Sequence, residues 1–452
     1  MSIQSPGGRL AGPTPYQGLR TAVRRPRGPA VRATPWTDVA AFGASLAIIL
    51  IYSQSWAAPM TGYGQRSADF LRNFYYPAYA LALAMVLIRP GYSFKAVMRA
   101  PLLILLLSLT AASVMWSIAP EMTSRRVMAL VFTTLGGVAL ATRWRWATLT
   151  ELFATGFALM AIASLVLGAL LPDMGRMQEI FPGAWRGLWL EKNALGENMG
   201  LATIFMLAAA ILVPRRRLLW LALAVVAAGL VILSTSKTSL VVLILSICSL
   251  VFVALVKSGP KQAIVGTWLS VMVVAAGALF IALFTDQFFE LLGKDATLTG
   301  RTEIWGAILR QMQDHVWTGL GYGVAWDDES ISGPAAWIAH EARFSAAHAH
   351  NGWLEVYLGV GLVGVIIFGL WFIEMWGRAL WSAYARPAGW LLVPMMTAYT
   401  LTMMTESITM VWHNLRWVLF VALALKAALG ESDVAPRVVR HLTRIRRRRQ
   451  PL

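Results

Sequence analysis

The sequence predicts an all-α polytopic membrane protein with about 12 transmembrane helices and one large loop, and three observations carry that prediction. Of its 452 residues, 58% are hydrophobic and only 13% are charged, a balance well outside that of soluble domains. Apolar runs of about 20 residues, enough to cross roughly 30 Å of hydrocarbon, recur along most of the chain. A single long polar interval, 286–350, then separates the ninth apolar run from the tenth.

Taken in order, residues 1–35 are rich in Pro, Gly and Arg and read as a disordered basic tail. They do not read as a cleavable signal peptide, because the first apolar run starts only near Ala40. Hydropathy places segments at 38–58, 72–88, 99–117, 125–141, 148–171, 193–213, 217–234, 239–257, 263–285, 351–375, 388–405 and 411–429. Residues 36–430 therefore form one transmembrane domain, and 431–452 a second basic tail that contains Arg446, Arg447, Arg448 and Arg449.

The net charge of +17 does not form a stripe suited to nucleic acid, because the basic residues punctuate hydrophobic segments. If the N-terminus is cytoplasmic, 26 of the 39 Lys and Arg residues fall on the cytoplasmic side and 13 on the other. That twofold bias places both termini in the cytoplasm and the long loop outside, in a bacterial periplasm where the cell has one. The lone Cys248 sits mid-run as a small buried hydrophobe and forms no intrachain disulfide.

Several outer charges are not required by orientation. Arg186, Lys192 and Asn193 crowd the mouth of the sixth segment. Charges packed this closely commonly face a cavity, and interfacial anchoring is the competing reading. Lys237 follows the seventh segment within a Ser-rich turn. An S-x-x-K string there lacks the companion motifs of serine enzymes, so Lys237 reads as an anion-binding group.

In the long loop, Thr299 is a suitable N-cap for an amphipathic helix with Arg301 in its first turn. Ile304, Trp305, Ile308, Leu309 and Met312 would share one face, turned to lipid or to the bundle. Gly319, Gly321 and Gly323 read as a tight turn. His348, His350 and Asn351 then precede a helix that carries Glu355 one turn in. The positive end of that helix favours a neutral His350, suited to general-base work, with Glu355 orienting a partner. Surface histidines are the bland alternative. A metal site from His340, Glu341, His348 and His350 is a further reading, but the spacing fixes no complete ligand set and no metal or other cofactor is assigned. Glu406 and Asn414 either line a cleft or satisfy helix ends, and these two readings stay open.

The order Arg-Gly-x-x-x-x-Lys-Asn-x-x-Gly, Ser-x-Ser-Lys, Gly-Arg-Thr-x-x-Trp, Gly-x-Gly and His-x-His-Asn-x-x-Leu-Glu over 180–425 resembles the O-antigen ligase and polysaccharide polymerase superfamily. The Lys192, Asn193 version, with the basic tail, looks most like its exopolysaccharide polymerase branch. The resemblance implies a metal-independent, inverting membrane glycosyltransferase of the GT-C type. Its donor would be a glycan on undecaprenyl diphosphate and its acceptor a second lipid-linked repeat. In a ligase the acceptor would instead be lipid A–core or another hydroxyl. By motif, Arg186 and Arg301 would hold the diphosphate and His350 would act at the acceptor. Lys192, Asn193, Lys237, His348, Asn351 and Glu355 would line the substrate site. Lys237 stands where many relatives have Arg, and a point charge lacks the bidentate fork. The resemblance leaves open which histidine is the base. Membrane lipids and a chain-length regulator on the basic tail complete the expected partners. A transporter or flippase is the reading from another class. It would gather polar groups at mid-membrane in matching halves, whereas the charges here collect at the outer ends.

Overall fold

The computed structural model describes residues 35–63, 69–179, 181–283, 300–326, 333–343, 346–385 and 389–430. The first expected tail apart from Pro35, the second tail and the first part of the long loop, 286–299, with its expected N-cap Thr299, lie outside these residues. In chain order the helices are α1 (Pro35–Tyr52), α2 (Ala57–Met60), α3 (Tyr76–Ile88), α4 (Pro90–Met98), α5 (Pro101–Ala112), α6 (Pro120–Arg143), α7 (Trp146–Leu170), α8 (Pro172–Gly175) and α9 (Lys192–Leu212). They continue with α10 (Arg217–Leu233), α11 (Lys237–Ser258), α12 (Pro260–Leu283), α13 (Arg301–Gln311), α14 (Pro334–Ala342), α15 (Gly352–Ala385), α16 (Leu392–Met403) and α17 (Leu415–Leu429). No strand occurs among the described residues.

Each hydropathy segment contains a helix. Among the described residues, seven helices are long and apolar enough to cross a membrane, or eight if the bent pair α4–α5 is one span. The bend between them is 89°. Its cause is Pro101, which opens α5 after Ala100 leaves the helical region, with φ of −126° and ψ of 65°. Proline also opens α4, α6, α8 and α14. There its missing N–H costs no intrahelical bond and its ring presets φ.

The centre of the bundle is α17, whose Trp417, Val421 and Leu425 are fully buried against α6. Helix α9 packs on α7, α10 and α11, and α16 on α9, α11 and α15. Side chains such as Val225, Ile232 and Ile373 point outward, as lipid-facing residues do. Cys248 is among these exposed positions, so its expected burial is corrected: a thiol is apolar enough to face hydrocarbon.

Helix α15 is broken at Val360 and Gly361, where Gly361 takes a φ of 66°. The break frees backbone groups that must find partners away from water. They find them in the chain that follows α13: Leu320 N–H donates to Leu358 O at 2.8 Å, and Leu362 N–H to Val316 O at 2.8 Å. The turn through Gly319, Gly321 and Gly323 has positive φ at all three, as its composition suggests. A Cβ on Gly319 would lie 2.7 Å from the backbone of α15, so only glycine allows this approach.

Helix α13 packs on protein. Ile304, Ala307, Ile308 and Met312 are buried in a second core with Val324, Ile338, Ala349 and Leu358, each large apolar side chain contributing roughly 1.5–3 kcal/mol by its burial. Leu309, expected on that face, is 55% exposed, because the buried stripe runs through Ala307 instead. Gly300, with φ of 86°, stands at the N-cap.

Candidate functional site: two charge clusters at one end of the bundle

The first cluster is assembled by the turn that precedes α15. Glu355 is half-buried and spans it: its Oε1 accepts from Ala349 N–H at 2.7 Å and from the Ser407 hydroxyl at 2.8 Å, and its Oε2 from Trp326 Nε1 at 3.1 Å. Trp305 Nε1 donates to Ala349 O at 2.9 Å, tying α13 to the same turn. Asn351 Oδ1 accepts from Trp353 and Leu354 N–H at 2.9 and 3.3 Å, so it caps α15. Between these anchors His350 adopts a φ of 49°, a left-handed conformation that few non-glycine residues hold without compensating contacts.

The turn delivers two imidazoles, 3.9 Å apart by ring centroid. His350 N–H donates to His348 Nδ1 at 3.3 Å. His350 Nδ1 lies 3.3 Å from Glu406 Oε2. Across the same carboxylate, Arg301 NH2 lies 3.1 Å from Glu406 Oε1, and Arg301 NH1 donates to Thr405 O at 2.5 Å. Burial pushes the Glu406 carboxyl up, but the His350 hydrogen bond and the Arg301 charge outweigh it and hold it below the ordinary carboxylate range. Burial, with His350 and Arg301 nearby, pulls His348 down to about 4 against the opposing Glu406 charge. An ionised Glu406 accepts the proton on His350 Nδ1, which leaves the Nε2 lone pair free to take another.

Next to this cluster, Glu197 of α9 and Arg416 of α17 form a second, half-buried pair, with NH2 2.7 Å from Oε2. Glu197 senses Glu406 and Arg301 as well as Glu191, so it stands between the first cluster and the start of α9.

The second cluster lies at that start. Lys192 Nζ donates to Thr235 Oγ1 at 3.3 Å and sits 3.6 Å above the Phe181 ring. It also senses Lys237, so the two motif lysines are neighbours. Ser236 caps α11 through Ser239 N–H and sets Lys237 in its first turn. Arg186 is held by backbone carbonyls, with Nε to Met174 O at 2.8 Å and NH2 to Asp173 O at 3.3 Å. Its guanidinium lies 4.1 Å over the Tyr63 ring. Among the described residues none of Arg186, Lys192 and Lys237 has a carboxylate partner.

The structure thus joins Arg301, His348 and His350, and joins Lys192 with Lys237. The Arg186 side chain is brought neither onto the Arg301–His350 group nor into contact with Lys192 or Lys237 among the described residues: its contacts are Tyr63, Asp173 and Met174. Its loop reaches the chain before Lys237 through Trp185 N–H on Leu233 O at 3.1 Å. Asn193 sits in the first turn of α9. The oxygens of Glu355 and of Asn351, both expected to line the substrate site, accept hydrogen bonds within and around the turn. Glu406, left open between cleft and helix end, is the hinge of the first cluster, while Asn414 caps α17 through Arg416 N–H at 2.8 Å. Sequence reasoning missed Glu197, Arg416 and Tyr63, whose roles come from contacts far apart in the chain. Of the metal reading, Glu341 is drawn off by Arg310 at 2.8 Å. His348, His350 and Glu406 do have ligand atoms within 4.8 Å of one another, while His348 Nδ1 accepts from the His350 backbone N–H and Glu406 Oε1 is engaged by Arg301.

Two comparisons with known proteins bear on this arrangement. Residues 222–369 match the family model described as O-antigen ligase. Over 268 residues the chain is 27% identical to the exopolysaccharide production protein ExoQ of Rhizobium meliloti (strain 1021). That alignment covers 56% of this chain and 59% of the relative. The family match contains Lys237, Arg301, His348 and His350, whereas Arg186 and Glu406 fall outside it. Together with the apolar helices, these findings describe a multi-pass membrane protein and support the resemblance to the O-antigen ligase and polysaccharide polymerase superfamily.

Proposed function

We propose that the protein is a bacterial inner-membrane glycosyltransferase that polymerises lipid-linked oligosaccharide repeats. It transfers the growing chain from undecaprenyl diphosphate to a second lipid-linked repeat on the periplasmic face. Twelve spans of GT-C type, with both termini in the cytoplasm, accompany this reading. The observation that carries it is the contrast between the clusters: Glu406 bridges His350 and Arg301, while Arg186, Lys192 and Lys237 have no carboxylate partner among the described residues.

In this mechanism the acceptor hydroxyl gives its proton to His350 Nε2 as its oxygen attacks the anomeric carbon. The bond from that carbon to the diphosphate breaks, and its electron pair leaves with the phosphate oxygen. Inversion follows from a single displacement. Glu406 stabilises the imidazolium as it forms, and Arg301 fixes Glu406. The departing diphosphate is met by Arg186, Lys192 and Lys237, with Arg186 supplying a planar fork. No step calls for a metal ion, because these cations carry the phosphate charge.

The name of the ExoQ relative refers to exopolysaccharide production, which a polymerase would serve, and the description of the matched family names a ligase, which would move glycan to another acceptor. Purified protein given lipid-linked repeat alone, in the presence of a chelator, tests both. Ladders of multiple repeats are expected, and their loss in His350→Ala with folding intact. Product only on addition of lipid A–core supports the ligase. Normal ladders from His350→Ala would remove the base assignment, and activity restored only by a divalent cation would place a metal at the histidines.

A further inference from the structure

Tyr63 lies far from the family match in sequence and in a turn that no motif marks. Gly62 and Tyr63 each have φ of 62°, and Tyr63 N–H closes the turn on Ala58 O at 2.9 Å. A bulky residue with positive φ is uncommon and persists where surrounding contacts hold it. Two contacts do so here, and both reach the Arg186 loop. The phenol donates to Gly187 O at 2.6 Å, and the ring lies beneath the Arg186 guanidinium at 4.1 Å. Gly187 is itself pinned, with φ of 55° and its N–H on Gly175 O at 3.0 Å.

The choice of an aromatic partner matters for a cation meant for an anion. A carboxylate would orient Arg186 equally well, but it would cancel the charge, as Glu406 does for Arg301. A ring face orients the guanidinium through its quadrupole and leaves available the full charge and the N–H groups that the Met174 and Asp173 carbonyls do not take. Lys192 is treated alike, over Phe181.

We propose that Tyr63 is a positioning residue that holds Arg186 flat and charged for a polyprenyl diphosphate. The inference rests on the assignment of Arg186 to the donor made under Proposed function. Its test uses full-length protein in detergent, with undecaprenyl diphosphate as the probe and single-turnover transfer as a second readout. Tyr63→Leu is expected to weaken probe binding on the order of tenfold, with the transfer rate at saturating donor changed less than about threefold. Tyr63→Phe, which keeps the ring, should recover most of the binding. Tyr63→Leu on an Arg186→Ala background should add little, because the two residues act as a unit.

A thermal melt of each variant identifies a folding defect, and if Tyr63→Leu melts early, Tyr63→Phe against Tyr63→Trp carries the test through the ring alone. Arg186→Ala losing the probe while Tyr63→Leu keeps it overturns the positioning role and leaves the donor assignment standing. Equal and additive losses from Tyr63 and Arg186 overturn it too. Arg186→Ala binding the probe normally overturns the donor assignment, and this inference with it.

Discussion

The two charge clusters solve opposite problems with the same kinds of side chain. Around His350, every charge is answered: Arg301 meets Glu406, Glu406 meets His350, and Arg416 meets Glu197. Around Lys192 no charge is answered by a carboxylate among the described residues, and rings, hydroxyls and carbonyls do the holding. A neutral, hydrogen-bonded network fixes geometry, which a proton transfer needs. An unneutralised group of cations stores attraction for an anion, which a diphosphate needs. The resemblance assigned Arg186 and Arg301 one shared task; the contacts favour separate ones.

The largest expected effect breaks the first cluster. Glu406→Ala leaves Arg301 buried without its carboxylate and frees the His350 ring, so transfer at saturating donor should fall roughly 10²–10³-fold. Glu406→Gln should be milder, because an amide oxygen can still accept from Nδ1. Rates for the two variants against wild type, with melts to check folding, decide this. An unchanged rate in Glu406→Ala would detach the carboxylate from the chemistry.

A smaller effect is expected in the second cluster. Lys192→Ala removes one of several cations and should raise the donor KM about tenfold, with kcat nearly constant. Donor titration at two salt concentrations checks it, and the difference from wild type should shrink at high salt.

Smaller again is a change in stability. Glu355→Leu leaves the Ala349 amide and the Ser407 and Trp326 donors without an acceptor, at about 1–3 kcal/mol for each group left buried. Tm should drop, and transfer with it, because the turn that aims His350 loosens. His348 adds a pH signature. Its folded value of about 4 lies below the ordinary 6.5, so the unfolded chain binds the extra proton first. Its contribution to stability is complete above about pH 6.5 and is lost as pH falls toward 4. His348→Gln should flatten the Tm–pH curve in that window, and an unchanged slope would assign the acid sensitivity elsewhere.

Much of this was legible in the sequence because the bilayer imposes a single rule: a spanning segment must be helical and apolar. All of the hydropathy segments hold helices for that reason. The kink at Pro101 and the break at Gly361 were not legible, since both depend on where freed backbone groups find partners. Of the site, Arg186, Lys192 and Lys237 stand out as charges with no topological duty, and Arg301 and His350 by their places at the starts of helices. Glu355 reads from the sequence as a group that orients a partner, but only packing shows which groups it holds: the Ala349 amide, Ser407 and Trp326. Glu406 was undecided because a carboxylate at a helix end reads the same whether or not an arginine more than a hundred residues away reaches it. Tyr63 carried no signal, as one aromatic residue among many at the membrane surface.

The division of labour is tested most directly by titrating lipid-linked donor in single turnovers with Arg301→Gln beside Arg186→Gln. The account predicts that Arg301→Gln slows transfer at saturation while its half-saturating donor concentration stays near wild type, and that Arg186→Gln shifts the half-saturating concentration. Were Arg301→Gln to shift that concentration as far as Arg186→Gln, both guanidinium groups would hold the diphosphate, and the two-cluster account would be contradicted.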